Sequence, residues 1–195
     1  MTNQSTSIKT LLQRVIPALS LCLLTGCRTS EPNTASTEPV FKPTQPAIRI
    51  RAGNTEPLTD SSGNVWLADQ GFTGGDTISR ADDLKIENTK DPALYRSERY
   101  SMTGFTRPLP NGQYTVKLHF AETFEGISGT GQRVFSFNVE GREFKDLDLW
   151  AKSGGFGRAY IETVPVTITD GKLDITFTPN IENPEINGIE ILPQF

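Results

Sequence analysis

The sequence is short of most residues that carry chemistry by themselves. It has one histidine, His119, and two cysteines in 195 residues, which leaves little material for a zinc site and a single imidazole for any nucleophile-base-acid triad. Basic charge is scarce too. Lys and Arg number 19 against 23 Asp and Glu, a net charge of -4, so no overall positive field attracts phosphate backbones and nucleic acid is not an expected partner. No apolar run approaches the roughly 20 residues that cross a bilayer. The 17 Gly and 13 Pro show no Gly-X-Y period, which excludes a collagen-like fibre, and the helical period of apolar residues is rare. What remains is enough chain for one turn-rich domain with a modest core, supplied with 11 Phe.

The N-terminus reads as an address. Residues 1–26 hold Lys9 and Arg14, no acid, and an apolar stretch from Val15 to Leu24 broken by Pro17, the pattern of a secretory signal. It ends in Leu24-Thr25-Gly26-Cys27, which resembles the lipobox of bacterial lipoproteins, whose cysteine is acylated and becomes the first mature residue. That resemblance implies lipidation at Cys27 and a place in the bacterial cell envelope, and Arg28 after the cysteine points to the outer membrane where the cell has one. With Cys22 removed and Cys27 acylated, no structural disulfide is possible. The mature chain would carry 17 bases against 23 acids, so acyl chains rather than a basic patch would hold it at a membrane. Residues 27–46 follow as a Pro, Ser and Thr-rich linker with only Val40 and Phe41 as bulky apolar residues, too few to fold.

From Ala47 to Phe195 apolar residues recur at every second position between turn signals. Tyr114, Val116, Leu118 and Phe120 alternate with Thr115, Lys117, His119 and Ala121 after Asn111-Gly112; Phe135, Phe137 and Val139 run to Gly141; Leu147 and Leu149 alternate with Asp146 and Asp148. Val164, Val166 and Ile168 lead into Asp170-Gly171, and Leu173, Ile175 and Phe177 resume beyond it, which predicts a hairpin with a two-residue turn. Ile48–Arg51 and Ile186–Ile191 complete at least seven short strands. Together they predict an all-β, two-sheet antiparallel β-sandwich of the jelly-roll kind. Three stretches, 54–90, 123–132 and 152–159, do not alternate and are read as long loops where recognition is expected.

The candidates for catalysis each have a plainer explanation. His119 sits mid-strand and reads as a partly exposed residue with a hydrogen-bonded ring. Asp146 and Asp148 would stand about 7 Å apart on one strand face, within reach of a glycosidase carboxylate pair, yet Lys145 and Lys152 are at hand as ion-pair partners. Gly129-Thr130-Gly131 and Gly155-Phe156-Gly157 lack the strand before and helix after that a phosphate-binding turn requires. Asp60-Ser61-Ser62-Gly63-Asn64 has the oxygens of a calcium loop without its closing bidentate acid, and an Asx turn explains it better.

Several blocks occur in order along residues 47–195: Arg49-Ile50-Arg51-Ala52-Gly53; Asp60 to Trp66 with Ala68-Asp69-Gln70-Gly71-Phe72; Leu94 to Tyr100; Asn111 to Val116 running into His119-Phe120-Ala121-Glu122; Gly131 to Phe135; and Asn183 to Ile191. This ordered set resembles the malectin family. The resemblance implies a lectin-like β-sandwich that binds glucose-containing sugars without catalysis and without a cofactor. In animal malectin the sugar is held by loop aromatics and by an aspartate before a late Asn-Pro. Carried over by motif, Tyr100 keeps one aromatic, Phe124 stands where the family has tyrosine, Glu125 where it has phenylalanine, and Glu182, before Asn183-Pro184, replaces the aspartate. Phe72 or Trp66 is a candidate for an aromatic of the early loop, although Trp66 reads better as core. Such residues suit a sugar on physical grounds, since pyranose C–H faces stack on aromatic rings while hydroxyls need polar groups at the rim. The expected partner is an oligosaccharide or polysaccharide; the alternative is a peptide or another envelope protein, because malectin-like folds elsewhere bind peptides.

Overall fold

The computed structural model describes residues 45–194. The signal segment 1–26, Cys27 and the linker as far as residue 44 lie outside the described residues. The strands are β1 (Ile48–Arg51), β2 (Leu58–Thr59), β3 (Val65–Trp66), β4 (Phe72–Ser79), β5 (Ser97–Pro108), β6 (Gly112–Ala121), β7 (Val134–Val139), β8 (Arg142–Asp148), β9 (Ala159–Ile168), β10 (Lys172–Ile181), β11 (Glu185–Ile186) and β12 (Gly188–Pro193), with short helices α1 (Pro92–Tyr95) and α2 (Leu149–Ser153).

Two antiparallel sheets form the sandwich that the alternation predicted. One has the order β1-β12-β6-β9; the other has the order β11-β5-β10-β7-β8, with β4 also paired to β5. The period-2 pattern of β6 explains the packing: Tyr114, Val116, Leu118 and Phe120 point inward and are all essentially buried. They share one core with Ile189 and Ile191 of β12, Val164 and Ile168 of β9, and, from the facing sheet, Phe135 and Phe137 of β7 and Leu173, Ile175 and Phe177 of β10. Each such side chain contributes about 1.5–3 kcal/mol of burial.

The outer face of β6 departs from the expected wet side. His119 and Ala121 are buried there, because the 54–95 stretch folds back over them and builds a second cluster from Trp66, Ile86, Leu94 and Tyr95. His119 is therefore not a partly exposed strand residue. Its Nδ1 lies 2.8 Å from Tyr95 Oη and its Nε2 3.0 Å from Glu190 Oε1, with the Trp66 ring edge-on at 5.1 Å. Both ring nitrogens are engaged and the ring is shielded from solvent, which removes it as a catalytic base. Trp66 is core, as expected.

Three further expectations need correcting. No hairpin joins β9 to β10: β9 pairs with β6, and β10 pairs with β5 and β7, so Asp170-Gly171 carries the chain from one sheet to the other. Inward alternation on both segments is compatible with either arrangement, and it does not choose the partner strand. The two-residue hairpin turn is instead Glu140-Gly141, with φ of 51° and 80°, joining β7 to β8 as a type I′ turn does. The Asn54–Lys90 stretch is not all loop, because it holds β2, β3 and the eight-residue β4. Seven of the eight residues of β4 are exposed, and a strand buried on neither face shows no alternation. Finally, Leu149 starts α2 instead of continuing a strand. Asp148 caps that helix through Ala151 N at 3.0 Å and also accepts from Gly131 N at 2.7 Å. Asp146 has a φ of 51° at a register shift between β7 and β8. The two acids thus do not form a matched pair on one face, and the lysine beside them, Lys145, pairs with Glu143.

Candidate functional site

All the long strands end at one of two poles. At one pole the ends of β4 and β10 and the start of β5 meet the segments that follow β6 and precede β7. Register fixes who faces whom: Ile78 is opposite Glu98, and Asp76 and Glu185 are both opposite Tyr100. Directly opposed residues share a face, so Ile78, Glu98, Tyr100 and Glu185 lie together. Ile78, Glu98 and Tyr100 border a cleft of about 260 Å³ that Phe124 and Glu182 also line, while Glu185 is fully buried and outside its lining. Tyr100, Phe124 and Glu182 come from β5, from the loop after β6 and from the segment between β10 and β11.

The floor of the cleft is charged and dry. Glu98, 3% exposed, accepts from Arg80 Nη2 at 2.9 Å and from Thr123 Oγ1 at 2.6 Å, and Arg80 Nε donates to the same Thr123 hydroxyl at 3.0 Å. Arg133, equally buried, donates from Nε to Glu122 Oε2 at 2.6 Å and from Nη1 to the Asn183 carbonyl. Glu122 uses its other oxygen to accept from Phe124 N at 3.0 Å, which holds the loop that carries the ring. Burial alone would lower the Arg133 pKa, but Glu122, Glu185 and Glu98 outweigh it and raise it. Glu98 is pushed up by burial against the pull of Thr123, Arg80 and Arg133.

Glu185 is the extreme case. It is fully buried, neither carboxylate oxygen has a hydrogen-bond partner, and desolvation followed by the nearby Glu98 raises its pKa well above the ordinary value despite Arg133. An isolated carboxylate is too costly to bury. Burial without a hydrogen-bond partner thus favours the neutral form of Glu185.

The lip is shaped by backbone. Glu182 takes a left-handed φ of 62° and Ser101, beside Tyr100, one of 58°; such positions cost about 1–3 kcal/mol each and gather at functional sites. Ser101 N donates to the Pro184 carbonyl at 2.9 Å, tying the two sides together. Phe124 is 44% exposed and its ring lies against Gly126, where a Cβ would come within 2.4 Å of Cε1. Only glycine permits that ring position.

The remaining sequence candidates fall elsewhere. Glu125 is exposed and lines an adjoining hollow beyond Phe124. Phe72 is not part of the cleft: it is half-buried against the core, tilted on Phe105 at 5.1 Å and covered by the Arg99 guanidinium at 5.4 Å. Arg99 itself grips Asp69 through two bonds of 2.9 and 2.8 Å and two carbonyls of the glycine pair in β4, so it ties down a loop and does not pair with Glu98. Asp60 is saturated as an Asx turn, accepting from Ser62 N, Asn64 N and Trp66 Nε1 at 2.8–3.1 Å. Arg80, Arg133, Asn183 and Glu185 were not singled out from sequence. Arg133 and Glu185 each stand directly before a β-branched residue, Val134 and Ile186, inside the ordered blocks, and no local pattern sets them apart.

Comparison with known proteins agrees with this architecture. A family model described as Malectin domain matches residues 47–189. A probable leucine-rich repeat receptor-like serine/threonine-protein kinase of Arabidopsis thaliana is 35% identical over 158 residues, 71% of this chain and 16% of the kinase. A kinesin-like protein of Oryza sativa is 30% identical over 72% of this chain and 14% of its own length. The chain therefore spans less than a fifth of these curated relatives. Among solved structures, a Bacteroides uniformis beta-glucuronidase superimposes with a TM-score of 0.69 at 24% identity, covering 76% of this chain and 18% of that one. The ANX1 ectodomain from Arabidopsis thaliana does so with 0.65 at 19% identity, covering 75% and 47%. These last two show the fold alone. The matched family region includes every strand of the sandwich except the last four residues of β12, and the chain belongs to the malectin domain family.

Proposed function

We propose that this protein is a non-catalytic carbohydrate-binding module whose ligand is a glucose-containing oligosaccharide or polysaccharide, displayed at the bacterial cell envelope by a lipid on Cys27. One observation carries the binding site: Tyr100, Phe124 and Glu182, far apart in sequence, line one cleft. Two rings offer stacking faces and an exposed carboxylate offers an acceptor for hydroxyls. The carboxyls beneath support binding over turnover. Glu98 and Glu122 are buried and engaged with Thr123 and guanidinium groups, and Glu185 is sealed from solvent, so none is placed to activate a water. A concave cleft with a charged floor favours a hydroxyl-rich ligand over a flat protein surface. The solved complex of the peptide RALF23 with FER and LLG2, to which the chain is similar at 19% identity and a TM-score of 0.66 over 75% of this chain and 48% of that one, makes a peptide the competing occupant.

A glycan array followed by isothermal titration tests this reading. Phe124→Ala should weaken the sugar that binds by roughly fivefold to thirtyfold, the loss of about 1–2 kcal/mol of ring stacking, and Glu182→Gln comparably, with unchanged melting in both. An empty array, or unchanged affinity in both variants, places the function elsewhere. For the anchor, Cys27→Ser should move the protein out of the membrane fraction; no lipid mass on Cys27 in the wild type refutes it.

A further inference from the structure

Beyond Phe124 the cleft continues into a second hollow of about 350 Å³. The two hollows share Phe124 and Arg80. On the far side stands Phe156, 36% exposed, in the loop between α2 and β9. The loop is fixed, because Gly157 N donates to the Glu122 carbonyl and Glu87 N to the Gly157 carbonyl, both at 2.8 Å. The same Glu122 that positions Phe124 through its side chain therefore also positions the neighbour of Phe156 through its backbone. Asp83 and Glu125 stand at the rim, and both are exposed. Arg80 gives Nε to Thr123 and one Nη2 hydrogen to Glu98, leaving guanidinium donors over at the boundary between the hollows.

We propose that this hollow is a second pyranose subsite, in which a sugar ring stacks on Phe156 with its hydroxyls toward Asp83, Glu125 and Arg80. The ligand is then a neutral glycan chain that runs past Phe124 from one hollow to the other. Three features favour this occupant. The hollow is continuous with the cleft through a shared aromatic wall, it has room for one sugar ring beyond the two that Tyr100 and Phe124 can stack, and two rim carboxylates against one guanidinium disfavour an anionic sugar. This inference rests on the sugar-binding reading above and specifies the length and charge of its ligand.

The test is isothermal titration with α-1,4-, β-1,3- and β-1,4-linked glucose oligomers of two to seven units, on the wild type, Tyr100→Ala, Phe156→Ala and Phe156→Tyr. Affinity in the wild type should rise with length beyond the disaccharide. Phe156→Ala should leave the disaccharide within about twofold and weaken the longer chains by roughly fivefold to thirtyfold; Phe156→Tyr should keep the gain with length, and Tyr100→Ala should weaken every length. Phe156 is a loop residue, so melting should not move. Wild-type affinity that is flat with length, or a length dependence that survives Phe156→Ala, overturns the second subsite while leaving the first cleft intact. Binding to no oligomer of any linkage overturns both.

Discussion

At one pole of the sandwich two short turns close on each other. At the other, five ionisable groups lie under an open cleft. Leu109 N donates to the Gly171 carbonyl, Asn111 Nδ2 to the Thr169 carbonyl and Gly171 N to Asn111 Oδ1, at 2.9–3.0 Å, so the connections from β5 to β6 and from β9 to β10 satisfy one another with backbone groups and a single amide. The cleft pole does the same job of closing strand ends with Glu98, Glu122, Glu185, Arg80 and Arg133. Such turns are short and tolerate water. Buried charges are costly and need one another, but their loops are long enough to hold Phe124 and Phe156 at the surface beside Tyr100 of β5. The difference is between closing a fold and building a site while closing it.

The comparison breaks most visibly at Arg133. Arg133→Met leaves Glu122 buried without its cation and the Asn183 carbonyl without its donor, and removing one partner of a buried pair costs about 3–5 kcal/mol. For a domain of this size that is a fall in melting temperature of roughly 6–20 °C, and sugar affinity should fall with it because both lips of the cleft lose their tie. Urea unfolding measures the first. A loss under about 1 kcal/mol would mean that the charged floor does not hold this pole together.

A second difference between the poles is pH dependence, which follows from Glu185. Its folded pKa is raised well above the unfolded one, so the folded state holds a proton that the unfolded state gives up. The contribution of Glu185 is therefore most favourable below the ordinary glutamate range and declines as pH rises toward the folded pKa, by about 1.4 kcal/mol per pH unit while only the unfolded form is ionised. Glu98, also raised, adds to the decline. Asp60, Asp174 and Glu190 are lowered, and their contribution is already complete above the unfolded carboxyl range. Glu185→Gln keeps the neutral form at every pH. It should match the wild type in acid and exceed it increasingly as pH rises; parallel melting curves from about pH 5 to about pH 9 would show that Glu185 is ionised in the fold.

What could be read from the sequence divides along the same line. The inner sheet faces were legible because burial on one side writes itself as alternation, as in Tyr114 to Phe120. β4 was not, since a strand exposed on both faces has no pattern, and the burial of His119 was not, since the 54–95 cover that shields it is distant in sequence. At the cleft, Tyr100, Phe124 and Glu182 were reached by family motif, whereas the Arg133 tie to Glu122 and Asn183 depends on register between strands that no local pattern specifies. Phe72 was a candidate only for the family's early-loop aromatic, which the motif did not place, and the tilt of its ring on Phe105 is a tertiary fact.

The turn pole provides the smallest and cleanest test. Asn111→Ala deletes a donor to the Thr169 carbonyl and an acceptor for Gly171 N, both at the surface. Water can replace each of them, so the loss is the net worth of exposed hydrogen bonds, about 1 kcal/mol or a few degrees of melting temperature. Sugar affinity should not change, because the length of β6, ten residues at about 3.3 Å each, separates this turn from the Glu122 to Phe124 loop. The combination matters more than either value. Asn111→Ala lowering stability with binding intact, beside Phe124→Ala lowering binding with stability intact, would separate the two poles by function. If Asn111→Ala instead weakened the sugar, strain would be passing along β6 from one pole to the other, and the cleft could not be treated as a locally built site.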